Sequence, residues 1–191
     1  HYFLMSSTWT LPDDLVVPEL PDDHPGPGSP MPQHWSKCLG CGDEQPTGLG
    51  LTFTLGEGPV VTGRFEVAKR FQGGPGFIHG GILMTAFDEA QGMACNAVLR
   101  RAVVTGHMGT DFKRPIPLGA VLEFTARVEG TVRRKVYTSA EARIVDGPFA
   151  DPDVIVGTSH GLFIVVGHEH FEKGKDFVDG APSTGLDISS V

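Results

Sequence analysis

One loop and the helix after it hold the residues best suited to chemistry. Phe71, Gln72, Gly73, Gly74, Pro75, Gly76, Phe77, Ile78, His79, Gly80 and Gly81 run directly into Ile82, Leu83, Met84, Thr85, Ala86, Phe87, Asp88, Glu89 and Ala90. So many glycines around a proline make a loop whose backbone can approach other groups closely. From Ile82 to Val98 there is no proline and only Gly92. Leu83, Ala86, Ala90, Ala94 and Ala97 recur at spacings of three or four, which predicts a helix with one apolar, small-residue face. Its first N–H groups have no intrahelical partners and the dipole adds partial positive charge there, so this end can hold an anion or a developing oxyanion. Asp88 stands seven positions after Gly81, on nearly the same helix face. A carboxylate on a small-residue face is costly to bury without a purpose. The competing reading is a solvated helix acid, which is how Glu89 beside it reads.

His-Gly-Gly with an acid nine residues after the histidine resembles the hotdog-fold thioesterases of the 4-hydroxybenzoyl-CoA and phenylacetate-pathway superfamily. Adding Gly74-Pro75-Gly76-Phe77-Ile78 before the motif and Asp111-Phe112-Lys113-Arg114-Pro115-Ile116-Pro117-Leu118 after it makes the chain similar to the branch of mitochondrial-type acyl-CoA thioesterases and their bacterial relatives. The likeness covers residues 36 to 166. It implies hydrolysis of a medium- or long-chain acyl-CoA thioester, with Asp88 as base or nucleophile and the Gly81 N–H as oxyanion donor. In the same reading His79 is a positioning residue, and Thr105, ten residues before Pro115, holds the attacking water. Coenzyme A, as part of the substrate and with no further cofactor, falls to Lys113, Arg134 and Lys135, with Asp111 and Arg114 near the same edge. Thioesterases of the phenylacetate type carry Asn six residues before the histidine. Gly73 stands there in this chain, which moves weight onto backbone donors.

The implied scaffold is α+β: a single hotdog, one long helix wrapped by an antiparallel sheet. Alternating residues predict strands at Leu49–Leu55, Val60–Val67, Val103–Phe112, Val121–Val128, Val132–Ile144 and Val154–Val166, giving a sheet of five or six strands. The last strand is nearly all apolar after His160 and is expected to be central or covered. Residues 1–34 read as a Pro-rich arm, of which 1–4 are taken as an expression scar. Residues 35–167 form the domain and 168–191 a polar tail. The arm has no apolar periodicity and is expected either to lie across a neighbouring surface or to be disordered.

The 191-residue chain carries a formal charge of −8, which argues against nucleic acid as a partner. Against that total, Arg100, Arg101, Lys113, Arg114, Arg127, Arg133, Arg134 and Lys135 form a basic segment. A small polyanion or an ordinary solvated strand face would each explain it. No signal peptide or membrane span is evident, so the expected location is the cytoplasm. Cys38-Leu39-Gly40-Cys41-Gly42 has the form of a zinc knuckle, but a structural site needs four ligands and His34 is the only histidine close by. The sequence therefore predicts no metal and reads the knuckle as a turn entering the first strand.

Two functional classes remain open: a thioesterase, or a hotdog protein that binds an acyl-CoA without turnover. A hotdog dehydratase fits less well, because no aspartate has a histidine five residues on. Gly81 and Asp88 are separated by about 10.5 Å of helical rise, too far to serve one carbonyl. A homodimer, alone or as a dimer of dimers, is expected to complete each site.

Overall fold

The computed structural model describes residues 9–167 and 169–172. One long helix, α1 (Gly80–Leu99), lies against an antiparallel sheet of seven strands. In chain order these are β1 (Pro30–Met31), β2 (Thr52–Leu55), β3 (Val60–Glu66), β4 (Val103–Phe112), β5 (Val121–Val132), β6 (Lys135–Asp146) and β7 (Asp151–Val165). They are arranged β1-β2-β3-β5-β6-β7-β4. The connection through α1 carries the chain from β3 past the later strands, leaving β4 at the far edge. A second helix, α2, is a single turn at Glu169–Glu172. No helix among the described residues is long and apolar enough to cross a membrane.

The sheet has one strand more than the five or six expected. The extra strand is β1, two arm residues whose partners in β2 are Thr54 and Phe53. Two residues of backbone pairing leave no alternating pattern, and a proline is tolerated at a sheet edge because the edge needs no donor on its outer side. β7 also starts earlier than the pattern implied. Asp151, Pro152 and Asp153 read as a turn, yet they belong to the strand, across register shifts in β6 at Ala142, Arg143 and Ile144. β7 lies between β6 and β4, paired on both sides but only one place in from the edge of the sheet.

α1 sits close to the sheet because its facing residues are small. Ala86, Ala90 and Ala94 have no exposed surface, nor does Phe87, which meets the Phe124 ring edge-on at 5.1 Å. Phe124 in turn stacks on Phe65 at 5.9 Å. Truncating Phe87 to Ala would cost about 3–5 kcal/mol by leaving a void in this stack. Gln91, also fully buried, accepts a hydrogen bond from Thr138 Oγ1 at 2.7 Å and donates to Ser159 Oγ at 3.0 Å. These bonds tie the helix to β6 and β7, so its rotation relative to the sheet is fixed.

The described part of the arm packs on its own chain. Val16 exchanges backbone hydrogen bonds with Thr131, at 3.0 and 2.8 Å. Leu15 fills the space where a Cβ on Gly130 would stand, 2.5 Å from its Cγ. Asp23 pairs with Arg100 at 2.8 Å, and Trp9 stacks on His160 with ring centres 4.4 Å apart. The expected scar at residues 1–4 and most of the polar tail, residues 173–191, lie outside the described residues.

Candidate active site and a cysteine cluster

The glycine loop closes on itself before the helix begins. Gly73 N–H donates to Phe77 C=O at 2.9 Å, His79 N–H to Phe71 C=O at 2.8 Å, and Ile78 N–H to Ile116 C=O at 2.9 Å. A Cβ at Gly73 would come within 2.8 Å of His79 Cα, a backbone atom that cannot swing away. A side chain at this position would force the loop or the His79 backbone to shift.

His79 is the N-cap of α1. Its backbone is extended, and its Nδ1 accepts the Gly81 N–H at 2.9 Å. The expected positioning residue and the expected oxyanion donor are thus bonded to each other. An acyl oxygen would have to take the place of Nδ1 on that N–H. Both residues are exposed, on a helix end open to solvent.

Two turns further on, the half-buried Asp88 carboxylate accepts a hydrogen bond from Thr105 Oγ1 at 2.6 Å. Thr105 owes its aim to a bulge: β4 pairs with β7 at Thr105 and again at His107, skipping Gly106. An extra residue bends the strand and turns a side chain to a new direction. Asp88 and Thr105 are 17 residues apart in sequence, and the structure brings them together. The helix start lies elsewhere along the same strand. A Cβ at Gly80 would meet the ring of Phe112, at the other end of β4, at 3.3 Å.

The expected coenzyme A residues do not share one edge within a chain, which corrects that expectation. Asp111 is opposite Thr158, and the N–H groups of Lys113 and Arg114 both reach Val156 C=O. Lys135 is opposite Ile164, and Arg134 C=O accepts from Val165 N–H. Eight residues of β7 separate the two groups, roughly 25 Å of extended strand. A sequence-local basic cluster has become two clusters because the chain reverses between them. All five residues are exposed.

Among Met84, Phe87 and Met93 of α1, Phe87 and Met93 are core, with 0% and 1% exposure. Only Met84 stays half-exposed.

Glu89 is no solvated helix acid. It points away from Thr105, beneath the arm, with 11% of its side chain exposed. There it meets His34, Cys38 and Cys41, and one donor atom from each of the four residues lies within 4.8 Å of all the others. Burial opposes a charge on His34, but bonds to Cys38 and Glu89 outweigh it and raise its pKa to about 10. The Cys41 contact, against burial, holds Cys38 down at about 3, while Cys41 itself is pushed up by the same contact. The knuckle and its histidine were legible in the sequence. The fourth donor, 48 positions beyond Cys41, carried no local signal.

The profile of the Thioesterase superfamily matches residues 75–149, from the glycine loop to the β6–β7 turn. Acyl-coenzyme A thioesterase THEM4 of Xenopus laevis is 38% identical over 82 residues, 43% of this chain and 36% of the relative's length. The chain therefore spans about a third of that curated relative. Among solved structures, a conserved protein of Pseudomonas aeruginosa superposes with a TM-score of 0.54 at 26% identity, covering 62% of this chain and 90% of the other. A thioesterase superfamily protein gives a TM-score of 0.58 at 27% identity, covering 66% of this chain and 62% of the other. The sheet-wrapped helix, the His-Gly-Gly cap and the matched profile agree: residues 75–149 are similar to the Thioesterase superfamily, within a fold shared with these solved structures.

Proposed function

We propose that this chain hydrolyses acyl-CoA thioesters of medium or long chain length. The observation that carries the reading is the 2.6 Å bond from Thr105 to Asp88, which a strand bulge aims at a half-buried helix carboxylate. Asp88 takes a proton from water held beside Thr105, and the water oxygen attacks the carbonyl carbon. The C–O⁻ that forms is held by the Gly81 N–H after His79 gives it up. Collapse breaks the C–S bond, and the proton passes to the departing thiolate. A route in which Asp88 itself attacks needs the same donors and differs in passing through an anhydride.

A homodimer completes this site. β4 is the free edge of the sheet, and a two-fold copy paired antiparallel along it would set the Phe112 end of one strand against the Thr105 end of the other. The partner's helix start would then approach Asp88. The same rotation would bring Lys113 of one chain toward Arg134 and Lys135 of the other, where the phosphates of coenzyme A could bridge them.

The hydrogen bond between His79 and Gly81 favours a second reading, an acyl-CoA-binding protein without turnover, since it occupies the oxyanion donor. Steady-state assays on acyl-CoAs from C2 to C18 separate the two. Turnover on any chain length that vanishes in Asp88→Asn supports hydrolysis. Tight binding with no turnover above background supports the binding protein.

A further inference from the structure

We propose that His34, Cys38, Cys41 and Glu89 form a structural zinc site that fastens the N-terminal arm to α1. Three separations define it: His34 Nδ1 to Glu89 Oε1 at 3.2 Å, His34 Nδ1 to Cys41 Sγ at 3.3 Å, and Cys38 Sγ to Glu89 Oε2 at 3.4 Å. Ligands of tetrahedral zinc, at about 2.3 Å for sulfur and about 2.0–2.2 Å for nitrogen and oxygen, stand about 3.3–3.8 Å from one another. The observed edges fall at or near that range. With one oxygen taken from Glu89, the four donor atoms all lie within 4.8 Å of one another, close enough to surround a common centre.

The surrounding backbone has the form such a centre requires. Gly40 N–H points at Cys38 Sγ at 3.3 Å, and Gly42 N–H returns to Cys38 C=O at 2.9 Å, closing a tight knuckle. A Cβ at Gly40 would fall 2.5 Å from the Glu89 carboxyl carbon, and one at Gly42 would overlap the Ser36 and Cys38 backbone. Gly42 thus needs to be glycine for the knuckle to close, and Gly40 leaves the space into which the Glu89 carboxylate fits. Within the cluster the buried Glu89 Oε1 makes no hydrogen bond of good geometry and is met only by the His34 imidazole, in an ion pair at 3.2 Å. A buried carboxylate oxygen left so is costly, and a cation is the group that would satisfy it.

Donor chemistry selects the metal. Two cysteine sulfurs and an imidazole favour a borderline-soft ion, and four protein ligands leave no open position for a reacting water. The site is therefore closed and structural. Binding would release to solvent the protons that the ligands carry and involve no redox change. Glu89 follows Asp88 about 100° further round the helix, so the ion would clamp α1 on a different face from the one that meets Thr105. The proposal is independent of what the neighbouring site hydrolyses.

The test uses the whole chain, purified under reductant, stripped with a chelator and reconstituted with Zn²⁺ or Co²⁺. About one zinc per chain is expected, and the Co²⁺ form should show the intense visible bands of a tetrahedral centre with thiolate-to-metal charge transfer. Cys38→Ser and Cys41→Ser should each lose these bands, and Glu89→Gln should weaken zinc affinity by about 100-fold or more. Cys95→Ser, at a buried cysteine remote from the cluster, should still bind one. Should a cysteine variant fail to fold, alkylation of the wild type decides the question: zinc should protect Cys38 and Cys41 together, as read by peptide mass spectrometry. Reduced, folded wild type that takes up no zinc overturns the proposal. So does metal uptake that leaves both cysteines freely alkylated, or that survives loss of either one.

Discussion

At the scale of single residues, the hydroxyl on Asp88 and the missing side chain at position 73 make the sharpest predictions. Asp88→Asn keeps the shape and removes the base, so kcat should fall by about 10²–10⁴ with KM little changed. Glu89→Gln, one residue along, should hold kcat within a few-fold while losing metal, because its carboxylate faces the arm instead of the bulge. The opposite pattern in steady-state kinetics would show that the wrong carboxylate has been assigned. Thr105→Val preserves the branched shape and removes only the bond to Asp88, so a loss in kcat of about 10–100-fold is expected, the range of a hydrogen bond to a charged group. Gly73→Asn would restore the side chain found in other thioesterases, but its Cβ meets His79 Cα at 2.8 Å. Forced crowding of this kind costs about 1–3 kcal/mol, so thermal melting should show a less stable protein with no gain in rate.

At the scale of elements, the sequence announced what repeats and hid what does not. β4 was predicted with its observed bounds, and α1 within two residues, since alternation and helical spacing are written into every turn. β1 and the start of β7 were illegible because backbone pairing, not side-chain burial, makes them strands. The Gln91 bonds and the position of Glu89 were also hidden, because both depend on which distant segment covers a helix face. The arm could be expected to lie on a surface, but nothing local said that the surface was its own sheet. That packing has a pH signature. Burial beneath Trp9, then the neighbouring His107, depress the pKa of His160 below its usual 6.5, while Asp111 acts the other way. Above pH 6.5 the imidazole is neutral folded or unfolded, so its contribution to stability is complete. As pH falls from 6.5 through the lowered folded value, the unfolded chain takes up the proton first and stability is lost. Melting temperatures measured between pH 7 and pH 5 should therefore fall less steeply in His160→Gln than in wild type, and equal slopes would remove His160 from the account.

At the scale of the whole molecule, the separations within one chain favour a shared site. Phe112 abuts the helix start, whereas Thr105, with Asp88 of α1 bonded to it, sits further down the same edge strand, so one protomer presents half of the chemistry at each place. The two basic groups are likewise split between the ends of β7. An antiparallel two-fold along β4 would repair both separations at once, and one operator answering two independent gaps is stronger support than either gap alone. Changing Lys113, Arg134 and Lys135 to Ala should raise KM for acyl-CoA and flatten its salt dependence, while an acyl-pantetheine thioester without the nucleotide phosphates should be turned over as before. Complementation tests the sharing directly. Asp88→Asn lacks the base, and Gly81→Pro lacks the N–H that faces the oxyanion, so each is inactive as a homodimer. Mixed under conditions of subunit exchange, half of the dimers would be hybrids, each with one site that takes its carboxylate and its N–H from intact chains. Activity should return to about a quarter of the wild-type value. If both variants fold and mass spectrometry confirms the hybrids, yet no activity appears, each protomer must supply both groups to its own site, and the two-fold arrangement would lose its catalytic role.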